Sequence, residues 1–260
     1  MILDDKTRLQ MREEVCNYIN DNSIWRKKVG EPSIPGKKIG KWNQFQFYIG
    51  RTTSNPVMLQ KISLLFLDII HETYLETPFQ LAGLDSDGVP LGVGICQQAL
   101  NYPDFKGINF FRARKQYKEY GLRNLIEGIP NEHPVLMVDD LISSKWTAKT
   151  AYNRMKNELN MNMMDAGLSV VNLRSNEKTD KCNVAIDEPS GIMFYNLYTI
   201  IDYDTTQEDY IKNGGKVSEN YYNDISKWYN STTPTPVEEP HKEWFIDEQN
   251  QPFGFSAIKG

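Results

Sequence analysis

Cysteine is scarce: Cys16, Cys96 and Cys182 are the only three in 260 residues, widely spaced and without a CxxC pair. That argues against a disulfide framework and a structural zinc, and reads as three inert thiols. Histidine is equally rare at three. His71 lies next to a helical apolar face and His133 precedes Pro134, spacings that suggest neither a metal nor a catalytic triad. A basic excess is missing as well, because 29 Lys and Arg face 34 Asp and Glu for a net charge of -5. No whole-chain footprint for nucleic acid or an anionic membrane follows, so any polyanion site must be a local patch. Long hydrophobic runs are also lacking. The most apolar stretch, Ile62 to Ile70, is interrupted by Asp68 and is too short to cross a bilayer. The first residues, MILDDKTRLQMREEV, turn acidic within five positions and hold no apolar h-region of a secretory signal. The expectation is a soluble, cytoplasmic protein of a reducing compartment. What is present, 40% hydrophobic, 12% aromatic and 24% charged residues, suits one main globular domain with embellishments.

Met11, Val15, Tyr18 and Ile19 recur at helical spacing, and a Pro/Gly/Lys-rich connector, Gly30 to Lys41, closes that element. Phe45, Phe47 and Ile49 alternate with Gln46 and Tyr48 before Gly50, which predicts a strand; Ile62, Leu65, Phe66, Ile69 and Ile70 then predict a helix. Short apolar segments follow at Phe79 to Leu84, Ile108 to Phe111, Val135 to Val138 and Leu168 to Leu173, with helix-like stretches between several of them. This alternation predicts an α/β fold, a mainly parallel sheet covered by helices. After about Tyr203 the texture becomes polar, and Asn230 to Pro240 (NSTTPTPVEEP) reads as an extended linker before an aromatic tail with Trp244, Phe245, Phe253 and Phe255, expected to dock back. The sequon at Asn230 reads as a chance match within that linker. The expected organisation is a helix and connector over residues 1–41, a main domain over 42–205 and a polar extension over 206–260.

The segment richest in chemistry is VLMVDDLISSKWTA, residues 135–148, where an apolar strand ends in Asp139 and Asp140 and runs through hydroxyl residues into a helix. Open α/β sheets bind ligands at the carboxyl ends of their strands. Unpaired N–H groups at the start of a helix near Thr147, with the Ser143, Ser144 and Thr147 hydroxyls, suit a phosphate dianion. The two carboxylates suit sugar hydroxyls. A second cluster, residues 112–128, sets Arg112, Arg114, Lys115, Lys118 and Arg123 against Glu119 and Glu127, a cationic stretch in an acidic chain.

VLMVDDLISSKWTA resembles the phosphoribosyl pyrophosphate motif of the type I phosphoribosyltransferases. Residues 112–128 (RARKQYKEYGLRNLIEG) look like the catalytic loop of the orotate phosphoribosyltransferases among them; FQFYIGRTTSNP, residues 45–56, is similar to their substrate segment, and AGLDSDGVPLG, residues 82–92, to their pyrophosphate loop. Four motifs in the family's order, spanning about residues 42–178, are far more specific than any one. The resemblance implies a type I phosphoribosyltransferase-like sheet and transfer of ribose 5-phosphate from phosphoribosyl pyrophosphate to a pyrimidine base such as orotate, releasing pyrophosphate. Asp139 and Asp140 would hold the ribose hydroxyls. Ser143, Ser144, Lys145 and Thr147 would hold the 5-phosphate. Arg114, Lys115, Lys118 and Tyr120 would serve catalysis at the leaving group, and Arg174, with Ser143, would bind the base. Magnesium held mainly by the substrate, a homodimer, and no nucleic-acid or membrane partner complete the expectation. Three segments depart from the pattern: Lys145 and Trp146 stand where glycine and a small residue are usual, Asp85 and Asp87 occupy the pyrophosphate loop, and Tyr48 replaces a common lysine. A non-glycine residue in a left-handed conformation costs about 1–3 kcal/mol. Lys145 would repay this by contacting phosphate directly, while Trp146 would pack outward, stack on the ligand or block the pocket. These departures leave two alternatives: a nucleotide-binding or regulatory protein with reduced catalysis on the same fold, or an enzyme for another base.

Overall fold

In the computed structural model, which describes residues 2–27, 34–35, 42–43, 45–74, 78–105, 107–114, 124–143, 145–175, 177–205 and 207–214, the alternating apolar segments form a sheet with helices on it. The chain begins with α1 (Asp5–Asn22), then the short strands β1 (Ile24–Arg26), β2 (Ile34–Pro35), β3 (Trp42–Asn43) and β4 (Phe45–Phe47). Helices α2 (Ile49–Thr53) and α3 (Pro56–Tyr74) lead to β5 (Gln80–Leu84), α4 (Gly88–Ala99), β6 (Asn109–Ala113), β7 (Ile126–Glu127), β8 (Val135–Ile142) and α5 (Trp146–Asn157). The order closes with β9 (Met163–Asn172), β10 (Asn183–Asp187), β11 (Ile192–Thr199) and α6 (Gln207–Lys212). The linker, the aromatic tail and the end of the basic segment, residues 115–123, lie outside the described residues, as does nearly all of the connector after Gly30.

Two units divide the chain. One comprises Met1–Ser23 and Tyr48–Asp204; the other takes the described residues of Ile24–Phe47 and those beyond Asp204. In the second, β1 pairs antiparallel with β4, and β2 with β3. The first holds a seven-stranded sheet in the order β10-β11-β9-β8-β5-β6-β7. Its five inner strands run parallel, and an antiparallel partner closes each end, β10 on β11 and β7 on β6. This is the predicted α/β architecture.

Burial follows the strand period. Ala82, Leu84, Phe111, Ala113, Met137 and Phe194 pack with Ala148, Ala151, Tyr152 and Met155 of α5 in one core. The alternate residues Leu81, Leu136 and Val138 are buried too, and α4 lies against β5, β6 and β8. That contact is close because of glycine: a Cβ at Gly88 would sit 2.4 Å from the Val138 carbonyl oxygen, and one at Gly83 2.8 Å from that of Gly88.

Three elements differ from the sequence expectation. The alternation through Ile49 stops at Phe47, because Ile49 opens α2. Strand β8 continues past Val138 to Ile142, since β9 offers partners as far as Asn172; Asp139 pairs with Ser169 and Leu141 with Val171. The hairpin β10–β11 was not anticipated, although Pro189 and Gly191 punctuate two strand-like runs there. Helix α1 forms as expected and is capped by Asp4, whose Oδ1 accepts from Thr7 N at 2.8 Å. Its buried side includes Arg8 and Arg12 beside Val15 and Ile19.

Candidate active site

The parallel arrangement brings the carboxyl ends of β5, β6, β8 and β9 to one edge of the sheet, where open α/β folds place ligands. Asp139 and Asp140 occupy that edge on β8, both half-buried. Asp140 N donates to Asp139 Oδ1 at 3.0 Å and Leu141 N to Asp140 Oδ1 at 2.8 Å, so backbone amides already orient both carboxylates. Burial is the main cause that pushes the Asp140 carboxyl up to about 6; the charge of Asp87 adds to it, and hydrogen bonds from Asp139, Leu141 and its own backbone oppose it. Asp87 caps α4 at the end of the β5–α4 turn. A Cβ at Gly50 would approach its Oδ1 to 3.9 Å. Three acids therefore surround the strand end, and the turn that carries Asp87 begins at Asp85, itself at φ 50°.

From β8 the chain passes exposed Ser143 and enters α5 through Lys145, whose φ of 59° and ψ of 0° are left-handed. The turn thus requires the conformation that glycine adopts freely, and a lysine supplies it. Its ammonium donates to the Ile186 carbonyl oxygen on β10 at 2.6 Å. One turn on, Lys149 meets Asp187 Oδ2 at 3.3 Å, and Lys149 N donates to Lys145 O at 2.9 Å. The hairpin missed in the sequence is therefore what α5 leans on at its start. Thr147 is half-buried in the first turn, where N–H groups lack intrahelical acceptors. Ser144 lies outside the described residues.

Arg174 follows β9 with its side chain exposed and its N donating to Asn172 Oδ1 at 2.9 Å. Behind it runs a buried chain of amides and hydroxyls. Asn172 Nδ2 donates to Asn183 Oδ1 at 3.0 Å, Asn196 Nδ2 to the same oxygen at 3.2 Å, and Ser169 Oγ to Asn196 Oδ1 at 2.6 Å. The basic segment contributes Arg112 from β6 and Arg114 just after it, while Lys115, Lys118 and Tyr120 lie outside the described residues. Arg112 Nε donates to Asp85 O at 3.0 Å, and Asp85 N to Ala113 O at 2.9 Å, so β6 and the acidic turn are joined twice. Sequence reading missed Arg112 as a contact of that turn; its place two residues before Arg114 was the available signal.

Among the described residues no three acids, histidines or cysteines form a metal-holding group, and no helix is long and apolar enough to cross a membrane. Cys16, Cys96 and Cys182 are free thiols; burial pushes Cys16 up to about 12 and Cys96 to about 11, which removes thiolate reactivity.

No protein-family model matches the chain. An orotate phosphoribosyltransferase of Halobacterium salinarum is 32% identical over 118 residues, 45% of this chain and 56% of that protein, so the match spans just over half of the relative's length. Among solved structures, a phosphoribosyltransferase of Corynebacterium diphtheriae superposes with a TM-score of 0.54 at 16% identity, covering 74% of this chain and 98% of that one. An orotate phosphoribosyltransferase of Mycobacterium tuberculosis does so at 0.54 and 18%, covering 76% and 98%. With the sheet order, the acid pair on β8 and the turn into α5, these likenesses give the chain the type I phosphoribosyltransferase fold and make it similar to the orotate phosphoribosyltransferases.

Proposed function

We propose that this chain is an orotate phosphoribosyltransferase-like enzyme, a pentosyltransferase moving ribose 5-phosphate from phosphoribosyl pyrophosphate to a pyrimidine base. The observation that carries the reading is the run from Asp139 and Asp140 through the left-handed turn at Lys145 into α5, at the ligand-binding edge of the sheet. In this reading the two carboxylates accept hydrogen bonds from the ribose diol. The 5-phosphate lies at the start of α5, against Thr147, Ser143, Ser144 and the first-turn amides. As the C1–oxygen bond of the donor breaks and the base nitrogen forms the new bond, negative charge gathers on pyrophosphate, and Arg114, Lys115 and Lys118 stabilise it, with Tyr120 serving the same step. Arg174 and Ser143 orient the base. The enzyme acts in the cytoplasm as a homodimer.

The acids fit a divalent cation. The charge of Asp87 makes Asp140 costlier to ionise, a repulsion that positive charge would offset. Magnesium carried mainly by the donor's own oxygens would supply charge neutralisation for the pyrophosphate. Asp140 and Asp87 are the residues that would meet it.

The test is loss of orotate absorbance in the presence of phosphoribosyl pyrophosphate and magnesium. Turnover that falls at least about 100-fold in Lys118→Ala, with donor affinity nearly unchanged, supports leaving-group stabilisation. Donor binding without turnover would reject orotate and leave another base or a binding protein.

A further inference from the structure

Arg112 on β6 and Arg114 just past its end are two apart in extended chain and so face one way, where Glu127 of β7 meets both. Arg112 Nη1 lies 3.2 Å from Glu127 Oε2 and Arg114 Nη2 2.7 Å from Oε1, one oxygen for each guanidinium. The backbone fixes this sharing: Arg112 pairs with Glu127 and Ala113 with Ile126, and Arg114 N donates to Leu125 O at 2.9 Å. Gly128 follows at φ 124°, with room for a Cβ denied by Phe111 Cβ at 2.9 Å.

We propose that Glu127 is the exchange counter-ion of Arg114, holding its guanidinium beside the acidic turn until a pyrophosphate takes it over. The inference rests on the phosphoribosyltransferase reading and deepens it. Three observations support exchange over a fixed structural pair. Arg114 Nε is buried without a hydrogen-bond partner, so the guanidinium leaves one donor unspent where it now lies, and an anion with several oxygens would satisfy it. Arg112 stays when Arg114 departs, because its Nε is tied to Asp85 O at 3.0 Å; Glu127 is then never stranded without a cation. Finally, the Glu127 side chain is 37% exposed and that of Arg114 22%, so water softens the pair and its rupture is cheap. Glu127 acts through Arg114 and is a positioning residue.

Titration calorimetry with magnesium and pyrophosphate on the full chain tests this without needing turnover. Glu127→Gln, isosteric and still able to accept from Arg112, should bind pyrophosphate roughly two- to fivefold more tightly, the range that an ion pair of this exposure is worth. In an Arg114→Gln background the same change should have no effect. Glu127→Asp keeps the charge and should not tighten binding; thermal melts report whether each variant folds. In steady state Glu127→Gln should lower the donor KM and lower kcat with it, since the product leaves more slowly. Unchanged or weaker pyrophosphate binding in Glu127→Gln, a gain that survives in the Arg114→Gln background, or no binding by any chain would each overturn the inference. A wild-type chain that binds pyrophosphate yet turns over no base would sink the enzymatic reading alone, with the calorimetric comparison still deciding Glu127.

Discussion

In the proposed site Asp140 would serve ligand binding at the expense of the fold. Its carboxyl, pushed up to about 6 by burial and by the charge of Asp87, must still ionise near neutral pH to accept sugar hydroxyls. The folded-state value lies above the ordinary one, so the stabilising contribution is full below about 3.8 and is lost as pH rises through about 6. At pH 7 the charged side chain therefore costs stability, by ~3 kcal/mol at most for a rise from 3.8 to about 6. Asp140→Asn keeps an oxygen for Leu141 N and removes the charge. It should raise resistance to urea at pH 7.5 by about 1–3 kcal/mol and lose that advantage at pH 4. Donor affinity should fall in the same variant. Equal stability at both pH values would show that the carboxylate is solvated and carries no such cost. The pair Asp139-Asp140 was readable as a candidate site from two acids at the end of an apolar strand. The approach of Asp87 was not, since it depends on the turn between β5 and α4 folding toward β8.

At the scale of elements, the strands and helices that hold the site follow from sequence period, and the exceptions have local causes. Strand β8 outran its apolar residues because β9 supplies ladder partners beyond them. Ile49 looked like a third strand residue because its side chain is as apolar as those of Phe45 and Phe47, yet it begins a helix. The β10–β11 hairpin escaped because Asn183, Asp187 and the polar turn between the strands mask the alternation of Val184 to Ile186. That hairpin matters for α5. Lys145 holds a left-handed turn at a strain of about 1–2 kcal/mol, and the ammonium bond to Ile186 O at 2.6 Å offsets part of it. The sequence left open a direct phosphate contact; in the structure the ammonium bonds to β10. Lys145→Gly should relieve the strain, lose the bond to β10 and loosen the unfolded chain, leaving net stability within about 1 kcal/mol of the parent. Donor affinity by calorimetry should stay within about threefold, the reach of a lost peripheral charge. A tenfold loss would mean that the ammonium leaves Ile186 for the phosphate.

For the whole sheet-bearing unit, the N-terminal helix is a structural member held by two buried arginines. Arg8 Nε donates to Asp68 Oδ2 at 2.6 Å, with the two side chains only 6% and 4% exposed. The same carboxylate accepts from Ile2 N at 3.0 Å and Leu3 N at 3.1 Å, so Asp68, the charge that breaks the apolar run of α3, fastens the start of the chain. Arg12 reaches the other way, to the carbonyls of Leu197 at 2.6 Å and Thr179 at 3.1 Å, with its guanidinium 4.9 Å from the centre of the Tyr198 ring. The sequence period picked out Val15 and Ile19 and passed over the arginines at positions 8 and 12, because the partner acid of Arg8 lies 60 residues on, invisible to local period. A buried pair of this kind gives little net stability over an apolar one, but removing one member leaves the other charged in a low dielectric. Arg8→Met should therefore lower the unfolding free energy by about 3–5 kcal/mol in guanidinium denaturation. Adding Asp68→Asn should recover part of the loss, because the neutral amide keeps an acceptor for Ile2 and Leu3 without a stranded charge. A loss below about 1 kcal/mol in Arg8→Met, or a further loss in the double variant, would place water at the pair and remove it as a fastening of α1.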